Sequence, residues 1–113
     1  MNYTFVESPL FAKNREDCFK DDEDYNNFQA WLLETWYLHP FIPGSSQLRK
    51  VRWADPAAGK GKSGGSRTIY LVAAESHTVF LLTCYRKSER ENLNRSAIKI
   101  LDKLAKAMRE KGI

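Results

Sequence analysis

The stretch GKGKSGGSR, residues 59–67, sets Lys60, Lys62 and Arg67 among four glycines and two serines. Glycine lets a backbone approach a phosphate closely, and successive N–H groups can form an anion nest. Lysine adds a point charge there, and arginine a two-pronged fork. The chemistry these types suit is the holding of a phosphate. Nucleotide hydrolysis is not indicated: Gly59 and Gly64 have Walker spacing, but Gly65-Ser66 stands where Lys-Ser/Thr is needed, and a strand rather than a helix is expected next.

More cations flank the loop. Arg49, Lys50 and Arg52 precede it, and Tyr85, Arg86, Lys87 and Arg90 lie some twenty residues on. A cleft of this composition suits RNA, because cations hold phosphates and aromatic rings stack on unpaired bases. Cleavage through the RNA's own 2′-hydroxyl needs a base for the 2′ proton, cations around the phosphate and an acid for the 5′-oxygen. Histidine is the usual proton carrier at neutral pH. Here His39 stands before a proline at a helix end and His77 in a turn, both poorly placed. Lysine among other cations is then the candidate base, since neighbouring positive charge lowers a lysine's pKa. Tyr85 is a candidate acid or stacking ring. The bland alternative, a solvated basic edge without chemistry, weighs about equally.

These residues need a scaffold. Tyr3, Phe5 and Val6 begin a short strand; Ser8-Pro9 is a cap followed by a proline at the first helical position, starting a helix that runs to about Asp17. Asp21 caps a second helix to Leu38, with acids in its first turn and Tyr25, Phe28, Leu32, Thr35 and Trp36 at helical spacing. That stripe reads as core, and the acids as dipole partners rather than metal ligands. His39-Pro40 and Pro43-Gly44 end the helix. LRKVRW alternates, with Leu48, Lys50 and Arg52 on one side and Arg49, Val51 and Trp53 on the other. SRTIYLVAAE and TVFLLTCYRK read as a buried hairpin turning at Glu75–His77. Asn94 caps a last helix to about Lys111. The order β-α-α-β-β-β-α predicts one α+β domain over residues 1–113, a small, mainly antiparallel sheet with helices packed on one face. In such a meander the start of the second-to-last strand and the end of the last lie together. Lys60, Lys62, Arg67, Tyr85 and Lys87 are therefore expected to converge.

The chain has 113 residues and a net charge of +4, divided between −5 over residues 1–38 and +9 over residues 39–113. That division suggests a polyanion for one face. No apolar run approaches a membrane span, and the N-terminus lacks a secretory pattern, so a cytoplasmic protein is expected. Cys18 and Cys84 form no metal-type cluster and read as reduced thiols. No metal and no cofactor are expected.

LRKVRWA, GKGKSGGSRTIYLV and VFLLTCYRKSERENL together resemble the HigB branch of the RelE/ParE toxin superfamily, and YTFVES and the acidic second helix extend the resemblance over nearly the whole chain. The resemblance implies the toxin of a type II toxin–antitoxin pair, with a RelE-like fold. Toxins of this branch are ribosome-dependent mRNA endonucleases that cut the A-site codon by 2′-hydroxyl attack without metal. The implied partners are the ribosome with its message and a small antitoxin, often a helix-turn-helix protein. Lys60 and Lys62 match the basic loop positions, Arg67 the phosphate-binding arginine, and Lys87, after Tyr85, the basic position ending the last strand. Two departures stand out: no tyrosine follows Tyr85, and Arg86 replaces a commonly small residue. The gyrase-inhibiting ParE branch and a non-enzymatic nucleic-acid-binding domain are the other readings.

Overall fold

A computed structural model of the chain describes residues 2–54, 65–87 and 93–111. Strand β1 (Thr4–Glu7) leads into helix α1 (Pro9–Cys18) and helix α2 (Asp22–Thr35), which ends in a 3₁₀ turn at Trp36–Leu38. Strands β2 (Arg49–Trp53), β3 (Ser66–Ala73) and β4 (Thr78–Arg86) follow, then helix α3 (Arg95–Glu110). Elements and order are as expected from the sequence. The caps explain the boundaries: the side chains of Ser8, Asp21 and Asn94 each accept the backbone N–H three residues on, at 3.0, 2.8 and 2.8 Å.

The sheet order is β1-β4-β3-β2, antiparallel except for the β1–β4 pair. Ser8 ties the first helix to that sheet, since its N–H donates to the Leu81 carbonyl and its hydroxyl to that of Leu82.

One detail differs from expectation. The helices do not share a face. Val79, Leu81 and Cys84 of β4 join Phe11, Tyr25, Phe28 and Leu32 of α1 and α2 in one apolar cluster. Phe80, Leu82 and Tyr85 join Leu101, Ala105 and Met108 of α3 in another. The physical reason lies in β3 and β4, which are buried at nearly every position. Central strands apolar on both sides need cover on both sides.

A bulge sets the parity of β4. Ile69 pairs with Thr83 but Tyr70 pairs with Leu81, so Leu82 is the extra residue. Val79 and Leu81 face α1 and α2, yet Tyr85 faces α3. Cys18 and Cys84, distant in sequence, meet beneath α1. Hydrogen bonding with Cys18, together with burial, pushes the Cys84 thiol up, which keeps it protonated.

Candidate nucleic-acid interface

The β2–β3 and β3–β4 registers set Arg52 opposite Arg67 and Arg67 opposite Tyr85. Cross-strand partners share a face, so these three side chains form a row on the α3 side of the sheet. Lys50, opposite Ile69, stands in the next row of that face. Lys87 follows β4, and its N–H donates to the Gly65 carbonyl at 3.1 Å, beside the end of the loop that precedes β3. The open end of the β3–β4 hairpin thus carries Arg67, Tyr85 and Lys87, as the meander argument expects. Lys60, Lys62 and Arg90 lie outside the described residues.

Arg49 and Arg86 turn the other way. Arg49, opposite Tyr70, donates to the His39 carbonyl at 2.6 Å and stacks on Phe41 at 3.9 Å from the ring centroid. Arg86, opposite Ser66, donates to the Asp17 carbonyl of α1 at 3.2 Å. The pleat therefore splits the basic residues quoted from the sequence. Arg52, Arg67 and Lys50 belong to the α3 face; Arg49 and Arg86 brace the opposite one.

Access within the row is uneven. Arg67 is 2% exposed, whereas Arg52 is exposed and Lys50 and Lys87 are half-buried. Two like charges at opposed positions cost stability. Such a local conflict is expected where a surface is shaped for an anion.

Neither histidine is near this row. His77 caps the far hairpin end with a left-handed backbone, φ 51°, and its ring packs edge-on to Tyr3. His39 bonds the Thr35 hydroxyl at 3.0 Å, and burial and the Arg49 charge hold its imidazole below the ordinary histidine range. The Tyr70 phenol is pushed up by burial and donates to the Trp36 carbonyl. Among the described residues no group of three or more His, Cys, Asp or Glu side chains could hold a metal ion. No described helix is long and apolar enough to cross a membrane.

Sequence reasoning missed the segment after α2. It bridges the outer edge of β2, with Ile42 N–H donating to the Leu48 carbonyl and Lys50 N–H to that of Pro40. Pro40–Pro43, Lys50, Tyr85, Leu93 and Ile98 enclose a pocket of about 520 Å³ on the α3 face. The available signal was Phe41-Ile42, two large apolar residues held between prolines, in what otherwise reads only as a helix stop.

Two comparisons bear on this arrangement. The family model described as RelE toxin of the RelE / RelB toxin–antitoxin system matches residues 46–111. The fold is similar to that of the free E. coli toxin RelE, solved as a double arginine-to-alanine mutant. The TM-score is 0.54 and the identity 17%, with 80% of this chain and 90% of that one covered.

Proposed function

The chain belongs to the RelE toxin family, and from that premise we propose that it is a ribosome-dependent endonuclease that cuts messenger RNA in the A site by 2′-hydroxyl attack, without a metal. The observation that carries this reading is the Arg52–Arg67–Tyr85 row at the open hairpin end, with Lys87 beside it. In the reaction the 2′-oxygen attacks the adjacent phosphorus as its proton passes to a base. The bond to the 5′-oxygen breaks, and that oxygen takes a proton. The products are a 2′,3′-cyclic phosphate and a free 5′-hydroxyl.

Charge accumulates on the phosphate in this transition state, so fixed cations aimed at it are the largest available contribution. Exposed Arg52 and half-buried Lys87 meet the phosphate directly. Arg67 acts from beneath, where its charge is less screened by water. Lys60 and Lys62 complete the set from the loop, with a lysine as base and Tyr85 as acid or stacking ring. Family membership implies an antitoxin; a helix-turn-helix protein with an acidic or apolar segment over the basic face is the form we propose.

Mapping message 5′ ends after brief expression tests the reading. Wild type is expected to produce new ends within translated codons, and Lys60→Ala/Lys62→Ala/Arg67→Ala to lose them. Growth arrest without new ends would overturn it in favour of gyrase inhibition, and no arrest in favour of simple nucleic-acid binding.

A further inference from the structure

We propose that Cys18 and Cys84 are a redox pair, in which peroxide oxidises Cys18 to a sulfenic acid and Cys84 closes it into a disulfide that ties the end of α1 to β4. The pair lies on the face opposite the Arg52–Arg67 row, and the proposal does not rest on the RNA reading.

The chain has two cysteines, far apart in sequence, and the fold brings them together. Cys18 ends α1, Cys84 lies on the α1 side of β4, and both belong to one apolar cluster. Their thiols are hydrogen-bonded to each other. A cysteine that merely packs acts as a small apolar group, and two such groups have no reason to meet. The backbone around them is pinned. Ser8 holds the start of α1 to the Leu81 and Leu82 carbonyls, and Arg86 donates to the Asp17 carbonyl at its end, at 3.2 Å. Thiols held in contact by this frame reach the roughly 2 Å of a disulfide by side-chain rotation.

A pocket of about 400 Å³ between α1, β4 and α3 is lined by both cysteines. Leu10 and Ile100, 40% and 64% exposed, also line it, so it opens to solvent. Hydrogen peroxide, little larger than water, fits such an entry; a bulky disulfide reagent does not. Cys84 is the more deeply buried of the two, and its bond with Cys18 together with burial keeps it protonated. Cys18 therefore meets the oxidant, and Cys84 resolves the product.

The steps balance. Cys18 Sγ, its proton given to water, attacks one peroxide oxygen; the O–O bond breaks, and the departing hydroxide takes a proton to become water. Cys84 Sγ then attacks the sulfenic sulfur. The S–O bond breaks, and the Cys84 proton leaves with that oxygen as a second water. The two sulfurs are oxidised, peroxide is reduced, and the chain loses two hydrogens. The new bond closes a long loop and so restricts the unfolded chain. Where thiols are ordinarily kept reduced, a bond of this kind is transient and redox-sensing.

The test treats the full chain with hydrogen peroxide, removes the peroxide with catalase, then unfolds and alkylates the chain for peptide mapping. A linked Cys18–Cys84 peptide within a monomeric chain is expected, with both alkylation sites lost. The linked chain should melt more than about 5 °C higher, and dithiothreitol should reverse both changes. Cys84→Ala should stop at a Cys18 sulfenic acid that dimedone traps, and Cys18→Ala should leave Cys84 unmodified. Wild type alone decides the pairing; the variants assign the order. The proposal is overturned if both wild-type thiols remain open to alkylation, if the link joins two chains, or if the linked chain melts no higher than the reduced one.

Discussion

Asp24 shows how a residue can do more than its type suggests. Its place in the first turn of α2 favours an acid by the helix dipole alone. In the fold its carboxylate also accepts the indole N–H of Trp53 at 3.0 Å and the Lys20 N–H at 2.9 Å, and the residue is buried. Asp24→Ala leaves both donors without this acceptor, so we expect a loss of roughly 1–3 kcal/mol in urea unfolding. A change within a few tenths would show that the carboxylate contributes only through the dipole. Glu7 has a comparable role, accepting the Tyr25 hydroxyl at 2.6 Å and Arg15 Nη1 at 2.8 Å. Burial and this hydrogen bond push the Tyr25 phenol up. Apart from the local Lys20 bond, these partnerships cannot be read from spacing, because they join residues at least eight positions apart in different elements.

Among the elements, the helix boundaries were the most legible. Ser8, Asp21 and Asn94 are all good caps, and all three cap. Asn94 fixes the start of α3 beside Leu93 and Ile98, which line the pocket on that face. Removal of its side-chain bond to the Ala97 N–H by Asn94→Ala should cost about 0.5–2 kcal/mol, whereas Asn94→Ser should cost much less. Equal melting temperatures for the two variants would contradict a capping role. The strands were legible as strands, and so was the β3–β4 hairpin; the partner of β1 was not. β1 could have paired with any exposed edge; the Ser8 bonds to Leu81 and Leu82 place it beside β4. The bulge at Leu82 was also hidden, since every residue from Val79 to Leu82 is equally apolar. Only that bulge turns Tyr85 toward α3.

The whole molecule is polarised. Its acids concentrate in residues 1–38 and its cations in residues 39–113, and the sheet separates α1 and α2 from α3. RNA binding should therefore weaken with salt, and the slope should report which face is used. For a single-stranded oligonucleotide, Arg52→Ala should flatten the log–log salt slope by about 0.7, the share of one phosphate contact. Lys13→Ala, on the exposed side of α1, should leave the slope unchanged. Equal effects of the two variants would mean that binding is not confined to the α3 face.

From sequence alone came the order of elements, the caps, the alternation in LRKVRW and the gathering of Arg67, Tyr85 and Lys87 at one hairpin end. Each of these depends on residue type and short spacing, which act within a few residues along the chain. Tertiary structure alone decided the two-sided helix cover, the register that places Arg52 beside Arg67, the burial of Arg67, and the pocket behind Phe41. Those depend on which strand pairs with which and on where one extra residue enters the ladder, and a one-residue change of register turns a whole run of side chains to the other face.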